Sequence, residues 1–210
     1  MTTVPFKQLS EIIKERHSVR KFDSAYKIPR EEIEGMLKEA TLAPSSSNLQ
    51  PWRFIVIEDQ ASKKELRSIA YNQEQVEMAS VVIAVLGDME MYENAEKVFQ
   101  SAFELGFMTE ENTKKMIENT VNLYSKAPNE LRKNIATYDA GLVSMQIMLI
   151  AKDRGYDTVP MSGFNKEKFM EEFNVSERFF PIVLIPLGKA AVPAHSTTRL
   201  PLEDVLLKYV

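Results

Sequence analysis

Positions 16 to 22 read Arg-His-Ser-Val-Arg-Lys-Phe. Two guanidinium groups, an ammonium, an imidazole and a hydroxyl in so short a run can hold an anion, a phosphate above all. In an extended backbone Arg16, Ser18 and Arg20 point to one side. In a helix Arg16 and Arg20 still share a face at i, i+4, and Ser18 leaves it. Two guanidiniums on one face repel unless an anion lies between them, and each charge-assisted hydrogen bond to it contributes about 1.5–3 kcal/mol. The alternative is a solvated basic turn that ends a helix. A second run, Pro-Ser-Ser-Ser-Asn-Leu-Gln-Pro-Trp, begins at Pro44. Ser45, Ser46, Ser47, Asn48 and Gln50 offer hydroxyls and amides, and an amide can read the edge of a heterocycle because it both donates and accepts. The same residue types end helices, so a plain turn is the alternative here.

The rest of the composition narrows the chemistry. A chain of 210 residues supports one sizeable core, and 44% hydrophobic with 27% charged residues is an ordinary globular balance. The formal net charge of -4 gives no long-range pull on nucleic acid or anionic lipid, so an anion must be held locally. The absence of Cys excludes disulfides and thiolate chemistry, and two His argue against a dedicated zinc or iron site. Neither a G-x-G-x-x-G nor a G-x-x-x-x-G-K-[ST] run is present among the 7 Gly, so side chains must replace a glycine-loop phosphate cradle. The N-terminus lacks the basic start and apolar block of a signal peptide, and no apolar run reaches membrane-spanning length. These features predict a cytoplasmic protein without nucleic-acid or membrane partners.

Elements must position the two runs. Leu9, Ile12 and Ile13 predict a helix to about Glu15. Pro29, Glu31 and Glu32 start another, which ends near Ala43 because Pro44 follows. The Ser-rich run is then a loop leading into a strand, Trp-Arg-Phe-Ile-Val-Ile. A helix is expected around Ser62–Ala70, then a strand apolar throughout, Val-Val-Ile-Ala-Val-Leu-Gly, buried on both faces. One or two helices fill about 91–126, as a lid or a partner-facing insertion. The longest helix runs from Asn129 to Arg154 and is closed by Gly155. Its second half, Gly141–Ala151, is apolar almost all round and suits a core or a subunit interface. Pro160–Phe164 reads as a turn, Lys166–Phe173 as a short helix, and Phe179–Gly188 as a third buried strand. Residues 196–210 form an arm that docks on another surface. The pattern is one layered domain over 1–210.

The ordered pair of motifs resembles the nitroreductase family of flavin mononucleotide (FMN) enzymes, over essentially the whole chain. Pro-Met-Ser-Gly-Phe is similar to that family's Pro-x-x-Gly turn, and Ser-Thr-Thr-Arg-Leu-Pro to its C-terminal Arg-x-Pro segment. The resemblance implies an α+β fold of three layers, α/β/α, around a mixed, mostly antiparallel sheet. It implies a homodimer with FMN sites at the subunit interface, each arm docking on the partner. Arg16, Ser18 and Arg199 match the phosphate and ribityl clamp, and Arg20 a cation near the pyrimidine end. His17 matches a residue at the flavin's polar edge. Pro44, Ser45, Ser46, Ser47 and Asn48 resemble the loop lining the dimethylbenzene and ribityl side, and Gln50 completes its motif. Asn72 and Gln75 match partners of the pyrimidine ring. Pro160, Met161, Ser162 and Gly163 match the turn whose amide reaches N5. No catalytic side chain is implied, since the flavin carries the chemistry. The implied cycle is ping-pong: NADH or NADPH reduces the flavin, and a nitroaromatic, quinone or enone reoxidises it. Phe99, Phe103 and Phe107 could wall the substrate side or simply pack. Two departures stand out: Gln75 replaces a frequent Lys, and Ser162 a frequent Glu. They keep two rivals open, another flavin reaction on the same fold (reductive dehalogenation or flavin breakdown) and a flavin-binding sensor or store without turnover.

Overall fold

The strand β2 (Val81–Asp88) sets the layering, because its eight residues are all buried. Val81, Ile83 and Val85 enter one core, and Val82, Ala84 and Leu86 the other, as strand alternation requires. A computed structural model describes residues 8–210; the start of the N-terminal stretch read above for a leader lies outside them. β2 pairs antiparallel with β1 (Trp52–Ile57) on one side and β4 (Phe179–Gly188) on the other. The two-residue β3 (Asp157–Thr158) pairs with the far side of β4, giving the order β1-β2-β4-β3. A parallel bridge from Ser18 to Thr158 makes the arrangement mixed. This is the three-layer α+β fold expected.

The first core packs the sheet against α2 (Arg30–Ala40) and α7 (Asn129–Asp153), through Ile33, Met36, Val143 and Ile147. The second packs it against α3 (Gln60–Ile69), α4 (Glu74–Met78) and α8 (Lys166–Glu172), through Leu66, Val76 and Phe169. α1 (Leu9–Glu15) precedes the basic run, and α9 (Leu202–Val205) lies in the tail. α7 ends in a Schellman motif: Gly155 adopts φ +75°, and the N–H of Tyr156 donates back to the Ala151 carbonyl at 2.8 Å. Residues 91–126 form a 3₁₀ turn and two helices, α5 (Ala95–Glu104) and α6 (Glu110–Ser125). They build a third core in which Phe99 packs with Met91, Ala95, Tyr124 and Leu49.

Three local expectations differ from the structure. α2 stops at Ala40 rather than near Ala43, with a turn before Pro44. Residues 160–164 are not a tight turn: Met161 exchanges backbone hydrogen bonds with Leu184 at 2.8 and 2.9 Å, because this stretch runs along the free edge of β4. α4 was not foreseen, since five residues carry too little periodicity to read. Among the described residues, no helix is long and apolar enough to cross a membrane.

Candidate functional site

The basic run is extended where it matters. Arg16 ends α1 with φ -68° and ψ 112°, and the N–H of Val19 donates to the Thr158 carbonyl at 3.1 Å. Val19 is thereby turned into the second core, while Arg16 and Ser18 stay half-buried and Arg20 is exposed. The extended reading of Arg16, Ser18 and Arg20 is therefore the one realised. Ser18 and Arg20 line a cleft of about 410 Å³ with Gln75, Lys21, Glu74 and residues 192–195. Gln75 reaches it from α4, where its amide nitrogen donates to the Gln73 side chain at 3.1 Å and meets the Met161 sulfur at 3.6 Å. The Gln73 amide in turn donates to the Gly163 carbonyl at 3.1 Å. The 72–75 and 160–163 stretches, ninety residues apart in the chain, are so tied side by side. Asn72 sits in a left-handed conformation (φ 58°) and is exposed, as are Pro160, Ser162 and Gly163. His17 is half-buried, and its Nδ1 is buried with no hydrogen-bond partner among the described residues.

The Ser-rich loop is a strained structure. Ser46–Asn48 form a 3₁₀ turn, and Ser47, Asn48 and Gln50 have φ of 51°, 55° and 50°. Side chains from four directions hold it. The Ser46 N–H and hydroxyl donate to the Asp139 carboxylate at 3.0 and 3.2 Å, and the Ser47 hydroxyl lies 3.0 Å from that of Tyr124. The Gln50 N–H donates to the Ser45 hydroxyl at 3.0 Å, and Arg53 donates to the Gln50 carbonyl at 3.1 Å. Asn48 and Gln50 line a groove of about 670 Å³ against the β1 edge and α5, which also presents Arg53, Asn94 and Lys97. Within the chain the loop and the basic run thus border separate clefts. Arg199, on the exposed tail, borders neither; it donates to the Thr197 hydroxyl at 2.8 Å and the Thr198 carbonyl at 2.7 Å.

Charge pairing divides the arginines into two groups. Arg30, Arg53, Arg67, Arg154 and Arg178 each engage a carboxylate. Among the described residues, Arg16, Arg20, Arg132 and Arg199 engage none, in a chain with more acids than bases; Arg132 instead donates to the Asn129 side chain and lies over the Tyr92 ring. Sequence reasoning missed Asp139, Tyr124 and Asn94 as supports of the loop. Asp139 left a trace, as the lone acid between Glu130 and Asp153, just before the apolar second half of α7. Tyr124 and Asn94 left none, since their roles depend on how residues 91–126 fold back.

Comparison with known proteins identifies the family of this fold. A model of the Nitroreductase family matches residues 13–189, and the chain belongs to that family. It is similar to YodC of Bacillus subtilis (strain 168), whose name assigns it provisionally to the NAD(P)H nitroreductases. The two are 40% identical over 195 residues, which cover 93% of this chain and 96% of that one. It is also 34% identical over 194 residues to the CLA biosynthesis enone reductase of Lactiplantibacillus plantarum, covering 91% of this chain and 89% of that one. Among solved structures, a provisionally named nitroreductase from Exiguobacterium sibiricum 255-15, in complex with FMN, is similar with a TM-score of 0.93 and 40% identity. The match covers 99% of this chain and 100% of that one.

Proposed function

We propose that this chain is an FMN-dependent oxidoreductase that takes electrons from NADH or NADPH and passes them to a small oxidant. The observation that carries the reading is the cleft where Arg20, which engages no carboxylate among the described residues, meets Ser18 and the Gln75 amide, with Arg16 of the same run likewise free of carboxylates. The donor set fits the cofactor: cations and a hydroxyl suit its phosphate, and amides suit its pyrimidine edge. Arg16, Ser18 and Arg199 would hold the phosphate and ribityl chain, and Arg20, His17, Asn72 and Gln75 the polar edge of the ring. Pro44–Asn48 and Gln50 would border its other end, with Pro160–Gly163 beside N5. When bound, the flavin supplies two-electron transfer between nicotinamide and oxidant; the protein supplies placement. Nitroaromatics, quinones and enones are the oxidants proposed; the relative named as an enone reductase supports the last.

The same reading makes the working unit a homodimer. One protomer leaves its loop and its basic run on separate clefts, and its tail exposes Leu200, Leu202, Val205, Leu207 and Tyr209. α7 adds Tyr138 and Met145 to the uncovered apolar surface, and α1 adds Leu9 and Ile13. A second copy would cover these surfaces and bring one protomer's loop to the other's basic run.

The test is direct. Purified protein should carry a flavin absorbance spectrum, and anaerobic mixing with NADH or NADPH should bleach it. A bound flavin that stays oxidised with both donors sinks the reductase and leaves a sensor or store. Sedimentation at micromolar concentration should show a species of twice 24.0 kDa, and a monomer alone would contradict the dimer.

A further inference from the structure

Asp139 sits mid-way along α7 with no exposed surface. Its polar contacts among the described residues are the two from Ser46, and no cation lies within ion-pair reach. A buried carboxylate held by two neutral donors costs stability, and burial pushes its pKa up. The loop it holds is costly too, since left-handed backbone at Ser47, Asn48 and Gln50 strains residues that carry a Cβ. Neither feature is the cheapest choice for the fold, since burial penalises the carboxylate and glycines would relieve the left-handed backbone. Two local costs that meet at one hydrogen-bonded pair point instead to a geometry that must be kept.

We propose that Asp139 is a positioning residue, whose carboxylate clamps Ser46 so that Ser45, Ser47 and Asn48 are presented to the flavin in one fixed arrangement. The role rests on the FMN reading above. The other supports act elsewhere on the loop: Tyr124 on Ser47, Ser45 on Gln50, Asn94 on Leu49. Asp139 alone accepts from both donors of Ser46, its N–H and its hydroxyl.

Three variants test it. Asp139→Ala removes both acceptors, Asp139→Asn keeps one acceptor in the same shape, and Ile147→Ala destabilises the same helix away from the loop. The readouts are FMN affinity of the apoprotein, visible circular dichroism of bound FMN, and hydrogen exchange of the Ser46 amide without flavin. Asp139→Ala is expected to weaken FMN at least about tenfold, alter the flavin spectrum and expose the Ser46 amide. Asp139→Asn should restore affinity to within about threefold, and Ile147→Ala should leave affinity and spectrum unchanged despite its lower melting temperature. Wild-type affinity in Asp139→Ala, with Ser46 still protected, overturns the role. So does an equal loss of affinity in Ile147→Ala. A wild-type protein that takes up no FMN overturns the flavin reading itself, an outcome seen before any variant is compared.

Discussion

The side-chain amide of Asn94 donates to the carbonyl oxygen of Leu49 across 2.7 Å, joining the helical segment 91–126 to the Ser-rich loop. Leu49 itself is wholly buried among Met91, Ala95, Phe99 and Tyr124. Loop and helices therefore share one core, and the loop cannot change shape without opening it. Leu49→Ala should cost about 2–5 kcal/mol of stability, as deletion of a wholly buried leucine side chain does. Urea unfolding measures that loss. Proteolysis should then cut first at residues 44–50, and unchanged protection there would show that the loop keeps its shape without this anchor.

A second relationship fixes the strand ends beside the loop. Asp88, wholly buried at the end of β2, accepts from Arg53 at 2.6 Å and from Arg178 at 2.8 and 2.9 Å. Both guanidiniums are partly exposed, and Arg178 also pairs with Glu93 at 2.6 Å, so each keeps some solvation without Asp88. Asp88→Ala is expected to cost about 3 kcal/mol, the low end for breaking a buried ion pair. Arg30→Ala, which removes the exposed pair with Glu58, should change stability by no more than about 0.5 kcal/mol. Equal effects from the two substitutions in denaturant titrations would refute this ordering.

What the sequence made legible was whatever rests on local pattern. The apolar run Val81–Leu86 announced a strand covered on both faces, and Gly155 announced the end of α7, because burial and left-handed backbone each leave a residue-type trace. The two polar runs were readable as candidates because several donors fall within a few positions. Hidden from the sequence were pairings across long separations, such as Asp139 with Ser46 or Gln73 with Gly163. α4 was hidden for another reason: five residues are held helical by burial of Gln75 and Val76 rather than by any repeat. Pro160–Gly163 misled because Pro and Gly favour turns, whereas the open edge of β4 draws Met161 into extended pairing.

Alkaline pH should test the packing behind the sheet. Tyr156 is pushed up to about 12 by burial and by the neighbouring Tyr26 hydroxyl, whose ring centroid lies 6.2 Å away. The folded state therefore keeps a proton that the unfolded chain releases near its ordinary value of about 10, so stability must fall as pH rises through that window. The loss reaches on the order of 2 kcal/mol near pH 12. Tyr156→Phe removes the titrating group, and its melting temperature should fall less steeply between pH 10 and 12. Parallel curves for the two proteins would assign the alkaline loss to other groups.

The arginines without carboxylates separate stability from binding. Removing a guanidinium that makes no ion pair leaves no buried charge behind, so Arg16→Ala and Arg199→Ala should each shift stability by no more than about 0.5 kcal/mol. Under the proposed function each should weaken FMN by about 2 kcal/mol, roughly thirtyfold, as loss of a charge-assisted contact to phosphate does. Arg154→Ala should show the reverse pattern, because its guanidinium joins Glu32 and Glu39 of α2 at 3.3 and 2.7 Å and lies outside both clefts. Flavin-fluorescence titrations set against thermal melts read both quantities on the same preparations. If Arg16→Ala and Arg199→Ala bind FMN like the wild type while the protein remains yellow, the phosphate is held elsewhere, and the run that begins at Arg16 is a solvated turn.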